Sequence, residues 1–176
     1  MLIETADIVD HSADVVYRIV RDNMQLIVPY MENVERIDQI ERHEHDGGPR
    51  IVNHWTAKTQ LPAIATRFVS PEILTWIDRA RWNDAAQCVD YEIVGKWRPE
   101  LYTCRGTNSY RPQGDGRTEV RVVVDLQIHA DRLPGVPKIL AKRIVPAVEE
   151  FVRRLMQPNL TSLAQGLQAY LKEHAA

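Results

Sequence analysis

Apolar and polar positions alternate along much of the chain, and in a few stretches the spacing changes to that of a helix. The clearest alternation runs from about Glu72 to Ala130 and reads as four consecutive antiparallel strands. Charge sets their register. Pairing Arg81 with Asp90 across an Ala85-Ala86 turn puts Arg79 opposite Glu92, and a turn at Arg98-Pro99 puts Glu92 opposite Arg105. A further turn around Gln113 to Arg117 brings Arg105 to Asp125 and Arg111 to Glu119. One face becomes a lattice of opposite charges, each pair contributing about 0.2–1 kcal/mol. The other face collects Trp76, Trp82, Val89, Tyr91, Tyr102, Cys104, Tyr110, Val122 and Leu126. A slip of one residue would mix the two sets. In this register Tyr91 lies opposite Gly106, and Cys88 and Cys104 point to opposite faces, which excludes a disulfide between them.

The helical counterpart is Val136 to Gln157, where Val136, Ile139, Leu140, Ile144, Val148, Phe151, Val152 and Leu155 recur at three- and four-residue spacing. Such a stripe needs a broad apolar partner, and the strand face supplies one. Pro137 suits the first turn, while Pro146 removes one backbone bond and predicts a kink. Pro158 begins a final helical piece, Asn159 to His174, with Leu160, Leu163, Leu167, Tyr170 and Leu171 on one side. Toward the N-terminus, Leu2 to Asp10 reads as a strand. Ser12 follows as an N-cap whose hydroxyl accepts from a backbone N–H, and Val15, Val16, Ile19 and Val20 form a short helical stripe. A second short helix is expected over Gln25 to Met31, bent or ended by Pro29. Val34 to Asp46 and Pro49 to Gln60 read as a hairpin about Gly47-Gly48. Pairing Asp46 with Pro49 then sets Ile40 opposite Trp55, Arg42 opposite Asn53 and Glu44 opposite Ile51. A short helix begun near Pro62 is expected within Leu61 to Val69.

Composition adds exclusions. At 176 residues a single domain, 1–176, is expected, with 158–176 as a C-terminal helical extension. With 22 Lys plus Arg against 24 Asp plus Glu, the net charge of −2 gives no electrostatic reason to expect nucleic acid or an anionic membrane as partner. No run of about 18 apolar residues occurs, so no membrane insertion is expected. The opening MLIETADIVDH lacks a basic n-region before an apolar stretch, so no signal peptide is expected. Two cysteines point to a reducing compartment, and the cytoplasm is the expectation.

The segment DIVDHSADVVYRIVRD, Asp7 to Asp22, resembles the opening of the START-like, or helix-grip, superfamily (the SRPBCC type), as do the proline in IVPYMENVERIDQIE and the Gly47-Gly48 hairpin. The order of elements resembles that superfamily over essentially the whole chain. The resemblance implies an α+β fold: a curved seven-stranded antiparallel sheet gripping a long C-terminal helix, with two short helices after the first strand. It also implies an apolar cavity between sheet and helix. Members bind lipids, sterols, polyketides, quinones or hormones, and a minority, such as polyketide cyclase/dehydrase proteins, are enzymes. Pro146 and the tail after Pro158 depart from the pattern at the expected cavity mouth.

Candidate ligand-binding residues follow from that frame. Trp55, Trp76, Tyr91, Tyr102 and Tyr110 supply inward aromatics, Arg42, Asn53 and Asn108 supply inward polar groups, and Ile144, Val148 and Phe151 come from the helix. If the cavity is catalytic, Asp78 with Tyr91 or Tyr102 is the place for acid/base work. His43, His45 and His54, with Glu41 and Asp46, are explained by a solvated hairpin tip, and neither a metal nor a cofactor is expected. Three functions fit. The first is a carrier or sensor of an apolar small molecule or lipid, and the second a cyclase/aromatase-like enzyme using the same cavity. The third is an interaction module with a closed core, in which Leu160, Leu163 and Leu167 are exposed and serve a partner or a homodimer.

Overall fold

The computed structural model describes residues 1–58, 70–129, 132, 146 and 160–174. Strand β1 (Leu2–Val9) leads into helix α1 (Ala13–Asp22) and a 3-10 helix (Met24–Tyr30). Strands β2 (Val34–His43), β3 (Arg50–Ala57), β4 (Thr75–Asn83), β5 (Cys88–Gly95), β6 (Tyr102–Pro112) and β7 (Thr118–Ile128) follow. Helix α2 covers 160–174. The strands form one curved, fully antiparallel seven-stranded sheet in the order β1-β7-β6-β5-β4-β3-β2. The long helix expected over 136–157 lies, apart from helical Pro146, outside the described residues. So does the segment expected to be helical after Pro62.

The register read from charge is the register found. Arg79 faces Glu92 and Arg81 faces Asp90; Glu92 faces Arg105, Arg105 faces Asp125, and Arg111 faces Glu119. The Arg105–Glu92 pair closes at 3.4 Å, and the Thr107 hydroxyl donates to Asp90 at 2.6 Å. These contacts are solvent-exposed and individually weak. Their main consequence is to keep these charged side chains off the opposite, mostly apolar face.

The β2–β3 hairpin departs from expectation. Gln39 faces Asn53, Ile37 faces Trp55 and Arg42 faces Ile51, because two bulges shift the pairing between Val34 and Arg36 and again between Gln39 and Glu41. The second leaves Ile40 outside, 52% exposed, rather than opposite Trp55. Pairing also stops at His43–Arg50, so the connection is a six-residue loop and not a two-residue turn. The two glycines serve another purpose. The Gly47 carbonyl accepts from Asp84 N–H at 2.8 Å, and the Pro49 carbonyl accepts from Trp82 N–H at 3.0 Å, so the loop is laced to the end of β4. Gly48 has φ +139°, and a methyl there would lie 2.5 Å from the Trp82 carbonyl oxygen.

At α1, Ser12 holds the N-cap position, but its hydroxyl makes no capping bond; the helix opens on the Val16 N–H to Ser12 carbonyl bond at 3.1 Å. Asp14 places negative charge in the first turn and pairs with Arg18. The buried face, Ala13, Val16, Tyr17 and Val20, packs over the sheet. A polar clamp fixes the far end of α1. Asp84 accepts from the Tyr17 hydroxyl at 2.8 Å and from Arg21 at 2.7 Å, Asp22 pairs with Arg21 at 2.7 Å, and Arg42 reaches Asp22 at 3.1 Å.

Helix α2 belongs to the same core. Leu163, Ala164, Leu167 and Leu171 are buried with Val9, Val16, Ile27 and Met31, so Leu163 and Leu167 of the stripe that an interaction module would leave exposed are covered. Gly166 allows the close approach: a methyl there would come 3.1 Å from Met31 Cγ and 3.6 Å from the Ile27 carbonyl oxygen. Asp10 N–H donates to Gln168 at 2.8 Å and the Tyr30 hydroxyl to Glu173 at 2.6 Å, which ties α2 to β1 and to the 3-10 helix.

Because a Gly48 side chain would meet backbone and not a movable side chain, Gly48→Ala should cost about 2–3 kcal/mol in urea unfolding. Gly47→Ala, with φ +91° and open space around it, should cost only about 1–2 kcal/mol of backbone strain. Equal losses would show that the approach to Trp82 is not what the second glycine serves.

Candidate functional site

Antiparallel pairing stacks the concave face into rungs. Trp55 faces Trp76, which faces Gly95; the next rung runs Asn53, Asp78, Ile93, Cys104. After it come Ile51, Ala80, Tyr91, Gly106 and Val124, and then Trp82, Val89, Asn108 and Val122. Burial divides these rungs. Trp82, Val89, Val122 and Tyr110 are sealed, the last only 1% exposed. Tyr17 of α1 closes this end, meeting Trp82 edge-on at 5.4 Å and Tyr110 at 5.7 Å, while Trp82 and Tyr110 stack at 6.5 Å. At the other end Trp55, Trp76, Asp78, Tyr91, Ile93 and Tyr102 are only partly buried. Trp55 and Trp76 stack there at 5.8 Å with 19° between their planes.

Asp78 is the chemical centre of that partly buried half. Its Oδ1 is fully buried and has no well-formed hydrogen bond among the described residues, and the same holds for the neighbouring Trp55 Nε1. Burial drives the Asp78 carboxyl up to about 7, against the pull of Asn53 and Trp55, whose N–H groups favour the charged form. Burial also pushes the Tyr91 phenol far above its usual range, with the thiol of Cys104 and the carboxylate of Asp78 adding to the effect. The Cys104 thiol is pushed up to about 12, again mainly by burial, with Asp125 and Asp78 adding to it. Tyr102 is raised by burial while it bonds the backbone at Gly95. At neutral pH the tyrosines and the thiol are neutral, and Asp78 alone of this group sits near its midpoint. A carboxyl so placed can hold or release a proton, or anchor one polar atom of a bound molecule.

Of the residues singled out from sequence, Trp55, Trp76, Tyr91, Tyr102, Asn53 and Asp78 come together. Tyr110 and Asn108 lie deeper, in the sealed half, where the Tyr110 hydroxyl and Asn108 Oδ1 lack well-formed bonds among the described residues. Arg42 does not reach Asp78 or Asn53. Its guanidinium bonds Glu44 at 2.6 Å and Asp22 at 3.1 Å, because the bulges carry it toward the hairpin end and α1. Ile144, Val148 and Phe151 lie outside the described residues. His54 faces Asp38 and Ile77, His43 stands 3.9 Å from Glu41, and among the described residues no group of three or more His, Cys, Asp or Glu is placed to hold a metal. A shallow hollow of about 270 Å³ is lined by the charged residues Arg81, Asp90, Arg105 and Asp125 together with Tyr91 and Gly106. Gly95 was missed from sequence; its only signal is an inward position, two after Ile93, that lacks a side chain.

No protein-family model and no curated relative matches the chain. Solved structures do match in fold. The protein TTHA0849 from Thermus thermophilus superposes with a TM-score of 0.73 at 18% identity, over 100% of both chains. Zhui aromatase/cyclase from Streptomyces sp. R1128 gives 0.67 at 18% identity, over 100% of this chain and 98% of that one. A START superfamily protein from Mycobacterium smegmatis gives 0.58 at 17% identity, over 98% and 97%. The chain therefore has the START-like helix-grip fold.

Proposed function

We propose that the protein binds a flat, apolar small molecule or lipid against the open half of the concave face, as a carrier or sensor. The observation that carries this is the partly buried aromatic set around Asp78, whose Oδ1, like Trp55 Nε1, has no well-formed hydrogen bond among the described residues. Stacked indoles offer a large apolar surface, and the poorly satisfied acceptor and donor beside them suit one polar atom of a guest. The fold shared with a START superfamily protein and with an aromatase/cyclase supports the reading. No described helix is long and apolar enough to cross a membrane. The free cysteines Cys88 and Cys104 support a reducing compartment such as the cytoplasm. The interaction-module reading loses its support, since Leu163 and Leu167 are covered.

A second reading has its own observation. Asp78, poised near neutrality beside Tyr91, suits proton transfer at a carbon next to a bound carbonyl, as a cyclase-like enzyme requires.

Binding of N-phenyl-1-naphthylamine, followed by its fluorescence, tests the first reading. Trp76→Ala should weaken it about 3–10-fold, the worth of one aromatic stacking contact, whereas Trp82→Phe in the sealed half should leave it unchanged. Absence of binding to the wild-type protein would end the proposal.

Asp78 gives a pH test. Its folded-state value of about 7 lies above the roughly 3.9 of an unfolded aspartate, so the folded state favours the neutral acid. Its contribution is fully present below about pH 4 and is lost as pH rises to about 7. The stability of wild type minus Asp78→Asn should fall across that window by about 4 kcal/mol. A flat difference would place Asp78 in an ordinary solvated setting.

For the second reading, deuteration of the methyl group of 2-acetonaphthone in D2O should be accelerated by wild type and not by Asp78→Asn. Equal rates would remove the enzymatic alternative.

A further inference from the structure

Two tyrosines on the concave face share an arrangement that stacking and burial do not explain. Tyr91 on β5 lies across Gly106 on β6, its register partner. Tyr102 on β6 lies back across Gly95 on β5. The two pairs cross in opposite directions and flank the Ile93–Cys104 rung that continues from Asp78. Both glycines are occupied by rings in the place of their missing side chains. A methyl on Gly106 would overlap the Tyr91 ring, with Cε2 2.6 Å away, and a methyl on Gly95 would overlap the Tyr102 hydroxyl, with Cζ 3.0 Å away. Neither glycine has the positive φ that would call for it on backbone grounds. What each supplies is a slot.

Resting on the binding role given above, we propose that Gly95 and Gly106 set the depth of the ligand site: each lets a tyrosine lie flat on the sheet, and any side chain there lifts the ring into the space over Asp78. The two positions thereby act as size filters, though neither needs to touch the guest. The obstruction differs from that at Gly48, where the clash is with backbone. Here the groups in the way are the far ends of side chains, which tilt upward at small cost to the fold. Ala80, the register partner of Tyr91 on the other side, adds only a methyl.

Two neutral probes of different size test this, N-phenyl-1-naphthylamine and the smaller 2-naphthol, each titrated by fluorescence on proteins shown folded by circular dichroism. Gly95→Ala and Gly106→Ala should each weaken the larger probe about tenfold, as overpacking of a filled site does, and leave the smaller within about twofold. In a Tyr91→Ala background, Gly106→Ala should have no further effect, because the ring it displaces is gone. Unchanged binding of both probes by the glycine variants would overturn the inference, as would a Gly106→Ala loss that persists without Tyr91. Should the glycine variants fail to fold, Tyr91→Ala and Tyr102→Ala decide: each must improve the larger probe relative to the smaller, and no change refutes the slots. If wild type binds neither probe, the binding role itself fails; if it binds both and the glycines are silent, only the size filter fails.

Discussion

The register of β4 to β7 is the constraint on which the rest depends. Side chains alternate with period two, so a slip of one residue would carry Arg79, Arg81, Glu92 and Arg105 onto the face that packs against α1 and α2. Burying even one such charge without a partner costs several kcal/mol, more than any surface pair returns. The charge lattice on the convex face is thus less a source of stability than a consequence of a choice enforced from within. Everything placed on the concave face, from the sealed Trp82–Tyr110 stack to the open Trp55–Trp76 stack, inherits its position from that choice.

That face is then covered unevenly. α1 brings Tyr17 against Trp82 and Tyr110, and α2 brings Leu163, Leu167 and Leu171 against α1, the 3-10 helix and β1. The clamp Tyr17–Asp84–Arg21–Asp22–Arg42 locks this end. Burial alone would raise the carboxyls of Asp22 and Asp84, yet the bonds they accept outweigh it and hold both below the usual carboxylate range. The opposite end has no such closure among the described residues. Rigidity at one end and partial openness at the other is the arrangement a binding site needs, since a pocket keeps its shape only when one wall is fixed.

How far this was legible from the chain depended on whether a pattern was local and periodic. The four-strand block could be registered residue by residue because charge and hydrophobicity vote together there, and Tyr91 over Gly106 came out of the same pairing. β2 could not. Its bulges insert Glu35 and Ile40 between paired residues, and an inserted residue leaves no trace in an alternation that simply resumes out of phase. Gly47-Gly48 carried a hairpin signal, but the need for glycine comes from Trp82, a residue distant in sequence. The Asp84 clamp was invisible for the same reason, because it joins α1 to a turn more than 60 residues away. Arg42 was mislaid along with the β2 register, and Gly95 was overlooked because a missing side chain offers nothing to read.

A comparison among four aspartates shows why Asp78 stands apart. Asp22 and Asp84 are bonded by arginines and stabilise the fold by being charged. Asp90 takes the Thr107 hydroxyl on the solvated face. Asp78 occupies a rung otherwise made of Asn53, Ile93 and Cys104, where its polar neighbours Asn53 and Trp55 leave Oδ1 without a well-formed bond among the described residues. An unmet buried acceptor costs about 1–3 kcal/mol, and an apolar residue of similar size at this position would remove that cost. Packing therefore gives no reason for an acid here. Folding chemistry that is locally unfavourable, beside indoles that stay partly exposed, is what the proposed binding role would account for.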